Sequence, residues 1–413
     1  MSIAHHEAPA APPTTASDGE SHTISAPYES VPRQLLIKFT GSGSEYFRIW
    51  IVNLLLTLVT LGLYFPWAKV RRLRYFYANT LVDSDPLQFH GTPLQMFKGF
   101  VIVVAGFALY SVAGEFSRTA GFLAFLVVAA LWPLLFRSSM CFRLSNTSWR
   151  GLRFAFAGSK SGAYLAWLPL FLPGIGFIVF FVFSQALSGP DTRNVSFWLY
   201  QLGSGFIALG SIGVIPWLLY RLKSYQHRNY CFSSETTGFT IRVSDYYRTA
   251  LKCLGVVMLV SIGALVLGIP ATVGLFVMGE KEGMQTNMVA MIFVGLLMLA
   301  FGVLLYSVAN SYMATRFQNL VWNGTRSKNL QFTSALRVAP MMALSVKNGF
   351  LTLLSLGMYW PYAVVAMTRL RLESVQVECS VDPAQWMAAS SSVSPGSAMG
   401  DASGDFFGFD VGL

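Results

Sequence analysis

Two sets of uncharged polar residues carry the spacing of a shared face. Asn53, Thr57 and Thr60 stand at i, i+4 and i+7, and Asn348, Thr352 and Ser355 repeat that spacing near the other end of the chain. On a helix each set falls on one side. Carboxamides and hydroxyls inside an apolar segment can replace part of the hydration shell of a solute or ion, which is the chemistry of a channel or an uncoupled transporter. The same groups serve as hydrogen bonds between membrane helices. Catalysis has no comparable constellation. The chain holds no GxxxxGK[ST], HExxH or GxSxG motif, and Cys141, Cys231, Cys253 and Cys379 lack CxxC spacing. His90 has only Asp83 and Asp85 near it in sequence, a thin basis for a metal site. No enzyme activity, metal or cofactor is therefore expected. The apolar runs hold almost no Asp or Glu away from their ends, which argues against a proton-coupled carrier.

Arginines form the second group. Arg71, Arg72, Arg74, Arg143, Arg221, Arg316, Arg369 and Arg371 follow the ends of apolar runs. There a guanidinium reaches lipid phosphate, or simply fixes orientation, because Lys and Arg stay on the cytoplasmic side. The chain carries 29 Lys+Arg against 19 Asp+Glu, a net charge of +10. Charge placed at the ends of apolar runs points to the bilayer and its anionic lipids as partner, not to nucleic acid. No protein partner is indicated.

The elements that position these residues are membrane segments. Hydrophobic residues are 54% of the chain and charged residues 12%, against roughly 25% charged in soluble proteins. Mean hydropathy is +0.52. Apolar runs cover about 47–68, 97–115, 119–136, 162–186, 197–220, 249–278, 287–309 and 344–367, each near the ~20 residues that cross a bilayer as helix. Three series recur along them: Pro66–Asn79–Phe89, Pro133–Asn146–Phe156 and Pro216–Asn229–Phe239, with Asn thirteen residues after Pro and Phe ten after Asn. Each Pro closes an apolar run, and each Asn caps a turn after a basic helix, so the chain reads as internal repeats.

Four connections between the runs are long and basic, and three are short and nearly neutral. The basic ones belong to the cytoplasm. Residues 57–68 and 352–363 match position by position, including Gly62/Gly357 and Pro66/Pro361. Copies must place their basic ends on the same side. Six full spans with two re-entrant end segments, turning at Gly62 and Gly357, satisfy this and leave both termini cytoplasmic; eight spans are the alternative. Asp83-Ser84-Asp85-Pro86 and Asn323-Gly324 read as hairpin turns. The stretches 34–40 and 373–380 read as strands whose pairing would close a cytoplasmic ring.

The phrases Phe39-x-Gly41, Thr60–Tyr64 (TLGLY) and Pro66–Arg71 (PWAKVR) resemble the opening signature of the YjgN family, bacterial inner-membrane proteins classed as a domain of unknown function. The likeness covers about residues 33–380. It implies an inner-membrane location and supplies no catalytic residues.

The expectation is thus an all-α polytopic membrane protein with short cytoplasmic β-hairpins. Residues 31–387 form the repeated membrane domain between disordered tails at 1–30 and 388–413. Its expected role is passage of a small solute or ion; the alternative is a non-catalytic scaffold that binds anionic lipid or partner proteins through its basic face.

Overall fold

The computed structural model describes residues 33–187, 193–233, 235–282 and 284–381; both expected tails lie outside them. The chain begins with β1 (Arg33–Phe39), enters α1 (Gly43–Val59) and returns through α2 (Phe65–Ala78). Strands β2 (Thr80–Val82) and β3 (Asp85–Phe89) lead to α3 (Pro93–Phe116) and α4 (Arg118–Ser145). Next come β4 (Thr147–Trp149), β5 (Leu152–Phe156), α5 (Lys160–Leu187) and α6 (Arg193–His227). Strands β6 (Tyr230–Phe232), β7 (Glu235–Thr236) and β8 (Gly238–Phe239) precede α7 (Val243–Glu282) and α8 (Met284–Asn323). The last unit is β9 (Thr325–Arg326), β10 (Leu330–Ser334), α9 (Val338–Leu354), α10 (Trp360–Glu373) and β11 (Val375–Cys379).

Among the described residues, six helices are long and apolar enough to cross a membrane, one in each of α3 to α8. The molecule is mostly helical, as a polytopic membrane protein should be. It is not all-α, however. The short strands do not stand as separate hairpins but join into one sheet, in the order β7-β6-β5-β4-β3-β2-β1-β11-β10-β9-β8. Thr237 alone separates β7 from β8, so the ladder closes on itself through the chain. Strands β1 and β11 pair antiparallel, Arg33 opposite Cys379 and Leu36 opposite Gln376, which is the pairing expected of the stretches 34–40 and 373–380. Inside the ring Leu35, Trp149, Phe232, Leu330 and Val377 pack together from five strands. Strands of two to seven residues are held by this shared core, since an isolated hairpin is marginal in water.

The Asn and Phe of the spaced series mark where a helix meets the ring. Nδ2 of Asn79, Asn146 and Asn229 donates to the carbonyl four residues back, at 2.8, 2.9 and 2.6 Å. Their own carbonyls accept from the backbone N–H of Thr40, His90 and Ala157, at 2.9, 2.7 and 2.9 Å. Each of those donors directly follows a buried Phe, namely Phe39, Phe89 and Phe156. One short polar residue therefore ends a helix and ties it to the neighbouring strand.

The prolines behave differently from the sequence expectation. Pro66 and Pro361 lie in the first turn of α2 and α10, where the missing N–H has no helical partner to lose. Pro133 and Pro216 lie within α4 and α6, which continue past them, as membrane helices tolerate. Asn323-Gly324 is also not a hairpin turn. Leu320–Trp322 belongs to α8, and the β9–β10 turn falls at Ser327–Asn329. The Asp83-Ser84 turn does form, with φ of +51° and +72°, the left-handed pair that suits a two-residue hairpin.

The end hairpins are shorter than the rest. Helix α1 has 17 residues and α2 has 14, about 26 and 21 Å of helix. Between them Leu61 and Gly62 take φ of +50° and +91°, and Leu356 and Gly357 take +50° and +92° between α9 and α10. Glycine relieves the steric cost of this left-handed turn. Leu61 and Leu356 at the tips are 94% and 92% exposed, so the most exposed point of each turn is apolar.

Candidate functional site

The two polar stripes occupy equivalent places. Asn53 and Asn348 are buried in α1 and α9. Their Nδ2 atoms reach across to the returning helix, to the carbonyls of Ala68 and Ala363, at 3.4 and 3.5 Å. These contacts are long for hydrogen bonds. Both Oδ1 atoms are buried without a hydrogen-bond partner. The hydroxyls are engaged locally. Thr57 donates to Asn53 O at 2.7 Å, Thr60 to Leu56 O at 2.7 Å, and Ser355 to Thr352 O at 3.3 Å. Thr60 and Ser355 also accept from the N–H of Tyr64 and Tyr359 at 3.0 and 2.8 Å, which fastens each tip. Thr352 contributes its carbonyl to that turn.

The arginines divide by contact. Arg74 donates to Gly91 O at 3.0 Å, and Arg369 to Phe39 O and Gly41 O at 3.2 and 2.8 Å. Arg137, which was not singled out from sequence, does the same for Gly158 O at 2.6 Å. Each guanidinium thus holds a strand-to-helix corner of Phe-x-Gly form. Arg221 holds Leu165 O at 2.8 Å. Arg72 lies 5.8 Å from Phe76 and 5.9 Å from Trp360, between the first and last helical hairpins. Arg71 is exposed. Arg143 and Arg371 face inward, and burial lowers the basicity of Arg371.

The fourth corner breaks this pattern, because Ile241 stands where the others have glycine. Arg316 points instead over the ring of Tyr312 at 5.1 Å. It shares a recess of about 560 Å³ with Lys252, Thr249, Ile241 and Asn323. Both cations are exposed, and no carboxylate lines the recess among the described residues. Lys252 lies about two and a half helical turns into α7, and Arg316 about two turns before the end of α8. Two cations with hydroxyl and amide neighbours at the base of two apolar helices suit a phosphate headgroup. The sequence marks Lys252 only as part of the Lys/Arg bias; what places it beside Arg316 is the packing of α7 on α8.

Asn319 does not cap a helix end. It lies within α8, donating to Leu336 O at 2.8 Å and accepting from Ser334 Oγ at 2.8 Å. The carboxylates near His90 are also spent elsewhere. Asp83 pairs with Arg33 at 2.7 Å and Arg150 at 3.0 Å, and Asp85 pairs with Arg150 at 2.5 Å. His90 Nε2 meets Ser148 Oγ at 2.7 Å. No group of three potential metal ligands occurs among the described residues.

A sequence model of a family described as bacterial protein of unknown function, DUF898, matches residues 34–406. The chain belongs to this family. Relatives named Inner membrane protein YjgN are 32% identical over 188 residues in Salmonella typhimurium strain LT2 and 30% identical over 190 residues in Escherichia coli strain K12. These alignments take in 44% and 45% of this chain and 46% of each relative, so the matched stretch spans about half the length of the curated relatives. No solved structure matches. Relatives named for the inner membrane and six apolar helices agree on a multi-pass membrane protein, and the DUF898 description leaves its activity open.

Proposed function

We propose that the protein is a non-catalytic inner-membrane protein that binds anionic lipid headgroups at the basic, cytoplasmic ends of its helices. The recess of Lys252 and Arg316 carries this reading, since it pairs two exposed cations with uncharged donors and, among the described residues, no carboxylate. In this reading the strand ring lies on the cytoplasmic side, with the Lys and Arg of the long connections. The two end hairpins re-enter, because both feet of α1–α2 and of α9–α10 join the same sheet. The first and last described strands then share the cytoplasmic side. The test is lipid retention: protein extracted in non-ionic detergent is incubated with phosphatidylglycerol and phosphatidylcholine, and bound lipid is counted. Lys252→Gln with Arg316→Gln should lose phosphatidylglycerol selectively. Equal retention of both lipids by the unmutated protein would refute the proposal.

A second reading, a small-solute or ion path, is favoured by one observation, the unpartnered Oδ1 atoms of Asn53 and Asn348. Carbonyl-type oxygens in an apolar setting attract cations. Asn53→Leu with Asn348→Leu should then abolish ion flux in proteoliposomes while the protein stays folded. Unchanged flux, or none in the unmutated protein, discards it.

A further inference from the structure

A cavity of about 780 Å³ lies between the strand ring and the helix bundle, within the size range of small-molecule sites. One face of α8 runs along it: Asn310, Ala314, Phe317 and Val321 line it at i, i+4, i+7 and i+11. The twelve-residue rise from Asn310 to Trp322, both on its wall, is about 18 Å of helix. Its floor is the apolar inside of the ring, including Trp149, Phe232 and Val377. The shape is therefore long and its walls largely apolar.

Three cations meet in this chamber. Arg143 comes from α4, Lys223 from α6 and Arg371 from α10. Arg143 and Arg371 both act electrostatically on Lys223. Arg371 is steadied by Gln318, donating to its Oε1 at 2.7 Å and accepting at its own carbonyl from Nε2 at 3.0 Å. Lys223 makes no hydrogen bond or ion pair among the described residues. Glu235, the carboxylate among the described lining residues, is turned to Ser327 and Asn329. Lys223, beside two further cations against largely apolar walls, is repelled and poorly solvated, which an anion seated there would offset.

We infer that this chamber binds a single-chain anionic amphiphile, its carboxylate or phosphate set among Lys223, Arg143 and Arg371 and its chain against the apolar walls. Head and wall chemistry together exclude the simpler ligands. A free anion would leave the apolar length unfilled, and a neutral lipid would leave Lys223 without a counter-ion. The site is separate from the recess at Lys252 and Arg316, and neither depends on the other.

The test uses the full chain in non-ionic detergent with radiolabelled palmitate as probe. Palmitate should bind saturably, be displaced by lysophosphatidylglycerol, and be unaffected by hexadecanol or inorganic phosphate. Lys223→Met should weaken it roughly ten- to hundredfold, the loss expected for a charge-assisted contact. Ala314→Trp, which fills the chamber from α8, a helix that carries none of the three cations, should also abolish binding, and it carries the test if Lys223→Met does not elute as a folded protein. Lys252→Gln with Arg316→Gln should leave palmitate binding unchanged, so failure of the surface site is read separately. Absence of saturable binding, undiminished binding in both Lys223→Met and Ala314→Trp, or displacement by inorganic phosphate would each overturn the inference.

Discussion

Arg74, near the end of the returning helix α2, donates to the carbonyl oxygen of Gly91 at 3.0 Å, and so clamps the corner at which the next hairpin leaves the ring. Arg137 and Arg369 make the same contact at Gly158 and Gly41. A residue type that sequence reading assigns to lipid or orientation is here also a bracket between adjacent units. Arg74→Met should cost about 1 kcal/mol by loss of a charge-assisted bond at a partly exposed site. Arg71→Met, at an exposed neighbour, should change the melting midpoint little. Thermal unfolding in detergent compares the two directly.

The corner glycines should be less forgiving than the arginines. A Cβ on Gly91 would fall 2.6 Å from the ring of Phe89, and one on Gly41 would fall 2.7 Å from Phe39. Gly91→Ala should destabilise by about 1–3 kcal/mol through overpacking. Adding Phe89→Leu should recover part of the loss. If Gly91→Ala melts like the unmutated protein, the corner is looser than its geometry implies.

Alkaline pH provides a probe of the first unit. Tyr75 Oη accepts from Ser42 N–H and donates to Ser42 O, both at 2.8 Å. Burial raises its pKa from 10.0 to about 12; the Ser42 N–H opposes that rise and the Glu45 carboxylate adds to it. The folded state therefore keeps the phenol proton that the unfolded state gives up. Its contribution to stability is complete below pH 10 and is lost as pH rises through about 12. Tyr75→Phe should be less stable at neutral pH yet show a smaller further loss over that alkaline window. Melting curves of both proteins across the window decide it, and parallel alkaline losses would count against this role.

Lipid binding at Lys252 and Arg316 should respond to salt. Both side chains are exposed, so their attraction to headgroups is screened beyond a Debye length of about 10 Å at 0.1 M salt. Retained phosphatidylglycerol should fall steadily as salt rises. Lys252→Gln should flatten that dependence, whereas Lys223→Met, inside the molecule, should leave it unchanged.

The reading from sequence reached the hairpin plan because its signals were local. Apolar runs, Lys/Arg bias and the Pro–Asn–Phe spacing all lie within single units, and the matching segments around Gly62 and Gly357 gave the shortened end hairpins. The pairing of residues 34–40 with 373–380 was also legible, since each end carried half of a hairpin. The continuous ring was not. Its strands run from two to seven residues, too short for a period-2 pattern to stand out, and their partners are distant in sequence. Asn323-Gly324 misled because the same dipeptide suits a helix end and a hairpin turn. Pro133 and Pro216 misled because a membrane helix can continue through proline. Lys223 could not be recognised as a site residue, because Arg143 and Arg371 meet it only when α4, α6 and α10 converge on one chamber.

The pairing of β1 with β11 also sets an order in time. Arg33 faces Cys379 across the ladder, and 345 residues of chain lie between them. At synthesis rates of ~5–20 residues per second, that interval is roughly 17–70 s. Throughout it the outer edge of the first strand has no partner, while helical hairpins are already being delivered to the bilayer. Whatever shields that edge during translation acts before the protein has its final form, and the last of the described strands to leave the ribosome is the one that completes the circle.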